Sequence, residues 1–84
     1  MRKAQDEQVL KAAAAEIKAR RASLNINQAE LAHRADVHRP FVARVEFAET
    51  QLSLSVLLRF ASTLEVEPSE LVRGITERLR RERA

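Results

Sequence analysis

Apolar residues recur at helical rather than strand spacing along almost the whole chain, and capping residues divide the pattern into five segments. Val9, Leu10, Ala13 and Ile17 predict a first helix from about Asp6 to Ser23, with Asp6 as its N-cap. Asn25, Ile26 and Asn27 interrupt it. Asn27 is suited to cap a second helix, Gln28 to Ala35, with Leu31, Ala32 and Ala35 facing inward. After a turn at Asp36 and Val37, a third helix begins near His38 and Arg39 and ends near Phe47 or Ala48. Pro40 is tolerated there because it falls in the first turn, and Val42 and Val45 point to the core. Ser53 caps a fourth helix, Leu54 to Leu64, whose stripe of Leu54, Leu57, Phe60, Ala61 and Leu64 has the period of a buried face. Pro68 opens a fifth helix, to about residue 82, with Leu71, Val72, Ile75 and Leu79 along one side.

Composition agrees with an all-α fold. The chain has 84 residues, one Gly, two Pro and neither Trp nor Tyr. That length holds one domain, residues 1–84, with the core expected within residues 9–72. Fourteen of the apolar residues are Ala, so the core is thin and a partner subunit is expected to supplement it. Without Cys there can be no disulfide, thiolate metal site, iron–sulfur cluster or thiol nucleophile. His33 and His38 have no acidic companion at ligand spacing, so no metal or other cofactor is assigned. No nucleophile–base pair, carboxylate pair or glycine-rich phosphate loop can be assembled, so an enzyme is not expected. The longest uncharged stretch, Thr50 to Leu58, is too short for a membrane span, and the N-terminus lacks the apolar core of a signal peptide. A cytoplasmic protein without a membrane partner is expected.

Charge is segmental. Residues 17–44 carry six basic and two acidic groups, whereas residues 45–72 carry one basic and five acidic groups. The last twelve residues return to a net positive charge. Within the first basic segment lie the two short helices separated by a turn of about three residues, which is helix-turn-helix spacing.

Gln28 to Ala32 (QAELA), the turn at Asp36 and Val37, and Val42 to Glu46 (VARVE) resemble the phage-repressor-like helix-turn-helix family, also called the XRE or Cro/CI type. The resemblance covers roughly residues 13–72. It implies a compact five-helix bundle of the lambda-repressor-like type, with helices 2 and 3 as the DNA-reading unit. Ala32 matches the close helix crossing, and Arg21 and Glu46 match positions at which many members have a largely buried ion pair. Asp36 stands in place of a frequent turn Gly, Ala48 in place of a Gly after the third helix, Leu52 in place of a Pro, and His38 in place of a Ser.

The family positions that read bases fall on Arg39, Pro40 and Arg44, with Phe41 beside them; core packing of Phe41 is the competing role. An arginine can donate two hydrogen bonds to guanine, whereas Pro40 and Phe41 offer apolar contact such as a thymine methyl group would accept. Phosphate contacts fall on Asn27, Gln28, Arg34 and His38, and on Thr50 and Gln51 of the loop before helix 4. Val72, Ile75 and Leu79 form a stripe without an obvious intramolecular partner, so a homodimer is expected to bury it, with Phe47 and Leu52 joining the interface. Arg78, Arg80, Arg81 and Arg83 are either backbone-contacting or merely a solvated helix end.

The resulting expectation is a sequence-specific transcriptional regulator that binds inverted-repeat double-stranded operator DNA as a homodimer, resembling small controller proteins. RNA polymerase or another protein is a further candidate partner. The alternative is an antiactivator-like or antitoxin-like module that keeps the fold but uses Phe41 and Phe47 to hold a protein.

Overall fold

Two side chains begin helices by satisfying backbone donors that no earlier turn can reach. Asn27 Oδ1 accepts from the Glu30 N–H at 2.8 Å, and Ser53 Oγ accepts from the Val56 N–H at 3.1 Å. The computed structural model describes the backbone of residues 2–83 and the side chains of residues 6–82. Its five helices are α1 (Arg2–Ser23), α2 (Gln28–Ala35), α3 (Arg39–Glu46), α4 (Leu54–Thr63) and α5 (Pro68–Arg83). No strand occurs among the described residues. Asp6 lies inside α1 rather than at its start, a correction to the expected N-cap: the helix begins before it, at Arg2.

Four helices end the same way, and none of them with glycine. Asn25, Asp36, Ala48 and Glu65 adopt left-handed backbone, with φ of 58°, 57°, 60° and 60°. The next N–H in each case reaches back five residues: Ile26 to Arg21, Val37 to Ala32, Glu49 to Arg44 and Val66 to Ala61. These are Schellman closures, which pair the last carbonyls of a helix and reverse the chain. Ile26, Val37 and Val66 follow the reversal with apolar side chains packed on the core.

The fully buried side chains are Ile17 from α1, Leu31 from α2, Val42 and Val45 from α3, Phe60 from α4 and Leu71 from α5. All five helices therefore share one core. Leu54 departs from the expected α4 stripe: it is 73% exposed, although Val56 and Leu57 in the same turn pack against the core. Ile75 departs in the opposite sense. It is 7% exposed and belongs to the core, since α1 runs alongside α5 and covers the stripe expected to be free. Leu79 and Leu52 are likewise packed against the core. Ile75 therefore presents little surface to a partner subunit, whereas Leu79 and Leu52 remain part-exposed.

The α1–α5 contact contains a charged junction. Glu16, 8% exposed, accepts from Arg20 Nε at 2.6 Å and from Arg78 Nε at 2.8 Å. Burial alone would raise its carboxyl pKa, but the hydrogen bonds and charges of Arg78 and Arg20 hold it below the usual carboxylate value.

Candidate nucleic-acid interface

Helices α2 and α3 pack against each other across the Asp36–Val37 turn, and the approach is close because Ala32 and Ala35 are buried beside Val42 and Val45. Asp36 supplies the left-handed turn residue without glycine. A charged clamp fixes the unit to α1. Arg21 Nε donates to Glu46 Oε2 at 2.6 Å, and Arg21 Nη2 donates to Oε1 at 2.9 Å. The Glu46 side chain is 3% exposed. Gln28 Nε2 adds a bond to Glu46 Oε1 at 3.1 Å, and Arg21 Nη1 holds the Ile26 carbonyl at 2.9 Å. One carboxylate thus joins the end of α1, the start of α2 and the end of α3. Burial would raise the Glu46 pKa, but hydrogen bonds from Arg21 and Gln28, with the charges of Arg21 and Lys18, hold it below its ordinary value.

With α3 held in this way, Arg39, Pro40 and Arg44 are all exposed. Neither arginine makes a hydrogen bond or ion pair to any described residue, although seven other arginines do. Their guanidinium groups are free for an external partner. Phe41 is different. It is half-buried, and its ring meets Phe60 edge-on, with centroids 6.4 Å apart and planes at 76°. That contact gives Phe41 the packing role set beside a base contact in the sequence reading.

Asn27 stands at the N-terminus of α2, but its side-chain oxygen is spent on the cap. Gln28 retains one amide hydrogen after its bond to Glu46, and Arg34 is tied to Glu30 at 2.6 Å while remaining exposed. His38 is exposed and makes no side-chain cap bond at the start of α3. In the α3–α4 connection Thr50 is half-buried and Gln51 exposed. At the far end of α5, Arg80 pairs with Glu77, Arg81 is exposed, and the Arg83 side chain lies outside the described residues.

Arg59 has a role that the sequence reading did not assign. Its Nε donates to the Ala35 carbonyl at 2.8 Å, closing the C-terminus of α2 from the neighbouring α4. A basic residue on a helix that must lie beside another helix end was the available signal. Exposed apolar side chains cluster in the acidic half of the chain: Phe47 at 78%, Leu54 at 73%, Leu58 at 45% and Val72 at 43%. Of these, Leu54 and Leu58 share one face of α4 at i and i+4.

Among the described residues, no group of three or more His, Asp or Glu is gathered for a metal ion, and no helix is long and apolar enough to cross a membrane.

Comparison with known proteins places this geometry. The restriction-modification controller protein C.AhdI from Aeromonas hydrophila superposes with a TM-score of 0.72 at 29% identity, over 74% of this chain and 94% of its own. The clp gene regulator ClgR from Corynebacterium glutamicum gives a TM-score of 0.78 at 17% identity, over 82% of this chain and 73% of its own. The controller protein C.Esp1396I, solved as a tetramer with its natural 35 base-pair operator, gives 0.76 at 20% identity, over 83% of this chain and 92% of its own. No curated protein matches the chain by sequence. The family model described as helix-turn-helix matches residues 17–71, from Ile17 of α1 to Leu71 of α5, and so spans the Arg21–Glu46 clamp and both helices of the motif. The chain belongs to the XRE-type helix-turn-helix family.

Proposed function

We propose that this protein is a sequence-specific DNA-binding transcriptional regulator whose α3 enters the major groove and reads bases through Arg39 and Arg44. The observation that carries the reading is that these two arginines are exposed and unpaired on a helix whose orientation is fixed by a buried ion pair. A guanidinium facing guanine O6 and N7 discriminates bases by about 1 to 3 kcal/mol. Pro40 adds an apolar surface beside them. Gln28, Asn27, Arg34, His38, Thr50 and Gln51 flank this face on α2, at the start of α3 and in the loop before α4, where they are suited to phosphate contacts. The likeness to C.AhdI, a restriction-modification controller at 29% identity, supports the regulatory reading. The protein acts in the cytoplasm on this reading.

One α3 contacts only a few base pairs, so tight operator binding calls for a homodimer on an inverted repeat. The exposed Leu54, Leu58 and Val72 supply apolar surface for it on α4 and α5, which pack together. The test is selection from a randomised duplex pool with the wild-type protein beside Arg39→Ala/Arg44→Ala, followed by sequencing. Enrichment of an inverted repeat with half-site centres about 10 base pairs apart, by the wild type alone, is the expected result. Equal enrichment by both proteins, or none by the folded wild type, refutes it.

A second reading has its own observation: Phe47 is 78% exposed at the end of α3, an apolar contact suited to a protein partner. That module would tolerate Arg44→Ala and lose its partner on Phe47→Ser.

A further inference from the structure

Between the first half of α1 and the last turns of α5 lies a cleft of about 290 Å³. Lys11 borders it from α1, Arg78 and Arg81 border it from α5, and Ala12 and Ala15 form an apolar floor. Glu82 is the one acidic residue in its lining. The cleft is not part of the helix-turn-helix face: none of its lining residues belongs to α2, α3 or the connection before α4.

Three features of these cations point outward. Lys11 and Arg81 are exposed and pair with no described residue. Arg78 is held by its Nε on Glu16, which fixes the plane of the guanidinium and leaves its two terminal nitrogens without a partner among the described residues. No buried side-chain nitrogen or oxygen among the described residues lacks a hydrogen-bond partner, so those nitrogens face solvent. Arg78 and Arg81 stand at i and i+3, on neighbouring positions of one helix face, with Lys11 opposite. Glu16 and Glu82 offset only part of this positive charge, and a bound anion would relieve the repulsion that remains.

We propose that this cleft binds a small polyphosphate anion, a diphosphate group either free or carried by a nucleotide. With Glu16 and its second partner Arg20 included, four cations stand against two carboxylates, and this net charge of +2 suits a ligand of more than one negative charge; the planar guanidinium fork matches phosphoryl oxygens in pairs. The volume is at the lower end of the roughly 300 to 1,000 Å³ of small-molecule sites, which suits a ligand of this size. The lining has no aromatic ring on which a base could stack, and Gln8 is its one neutral hydrogen-bonding side chain. Recognition therefore rests on the phosphates. Because the cations come from both helices, the anion bridges α1 and α5 and binds only the folded chain.

The experiment is isothermal titration of the full chain, at constant ionic strength, with inorganic pyrophosphate, with adenosine diphosphate and with sulfate. Lys11→Gln/Arg81→Gln is compared with Arg39→Gln/Arg44→Gln, which removes the same charge from α3. Both pairs are exposed and unpaired, and circular dichroism verifies that each variant folds. The expected result is saturable one-to-one binding of pyrophosphate, weakened about tenfold or more in the cleft variant and unchanged in the α3 variant. Equal affinity for adenosine diphosphate assigns recognition to the phosphates alone, and tighter binding adds a contribution from the floor and Gln8. The proposal is overturned if neither compound saturates, if sulfate binds as well, if the cleft variant binds like the wild type, or if the α3 variant loses binding.

Discussion

The carboxylate of Glu16 occupies the space that a side chain at position 74 would need. A Cβ built on Gly74 would overlap Glu16 Oε2 and stand 2.5 Å from Cδ, while Arg20 and Arg78 hold the carboxylate from either side. This explains why the chain's only glycine sits inside a helix rather than at a turn. Glycine there costs about 1 kcal/mol of helix propensity relative to alanine, and the close α1–α5 approach offsets it.

A substitution cycle tests this relationship. Gly74→Ala in the wild type should destabilise by about 1 to 2 kcal/mol, because Glu16 must leave both arginines or the helices must part. The same change in a Glu16→Ala background should stabilise by about 1 kcal/mol, since only the helix propensity gain remains. Denaturant titrations of the four proteins decide it. Equal signs in both backgrounds would show that Gly74 has no dependence on Glu16.

Removing Glu46 should destabilise the motif strongly. Glu46→Ala leaves Arg21, 15% exposed, without its carboxylate, and a broken buried pair costs about 3 kcal/mol. For a chain of this size the melting temperature should fall by more than about 10 °C.

The same residue gives a pH dependence of defined sign. Because the folded Glu46 carboxyl lies below its ordinary value of 4.5, the unfolded chain takes up the proton first as pH falls. Its contribution is complete well above that value and is lost as pH drops through the lower folded value. Glu46→Gln cannot titrate, so the stability gap between it and the wild type should narrow between about pH 6 and pH 3. Thermal melts across that range check the trend, and a constant gap would contradict it. Glu16, also held low, contributes in the same direction to both proteins and cancels in the difference.

Much of the bundle was legible because amphipathic period and caps agree. Asn27 and Ser53 marked helix starts, and Ile17, Leu31, Val42, Val45, Phe60 and Leu71 lie where the period puts them. The Arg21–Glu46 pair followed from the family resemblance. What the pattern could not supply was the arrangement of helices around each other. Periodicity says that Leu54 and Ile75 each belong to an apolar stripe, but not that Leu54 stays exposed while Val56 and Leu57 pack inward, or that α1 covers α5. The Glu16 junction joins residues 62 positions apart in sequence and has no local signature. The Schellman closures at Ala48 and Glu65 were hidden for a different reason: their usual marker, glycine, is absent.

Ala48 offers a stabilising change on that account. Its φ of 60° is strained for any residue with a Cβ, by about 1 kcal/mol, and glycine adopts it freely. The Glu49 N–H to Arg44 carbonyl bond at 2.8 Å keeps the closure in place. Ala48→Gly should therefore raise the melting temperature by a few degrees despite the added freedom of the unfolded chain. A lower melting temperature would mean that the methyl group contributes packing worth more than the strain.

The proposed dimer makes the most exposed prediction. Leu54 and Leu58 are 73% and 45% exposed, so the folded monomer does not depend on them and a charge at either position is tolerated by the core. In a two-fold dimer each leucine is buried twice, and burying one contributes about 1.5 to 3 kcal/mol. Leu54→Glu/Leu58→Glu should thus weaken association by more than about a hundredfold while leaving the helical circular dichroism signal intact. Sedimentation at tens of micromolar should give a dimer for the wild type and a monomer for the variant. The monomer still presents Arg39 and Arg44, so it should retain the base preference of one half-site and lose the requirement for an inverted repeat. A variant that sediments as the wild type would remove α4 from the interface. A monomeric wild type would remove the dimer itself and leave α3 to act alone or on another partner.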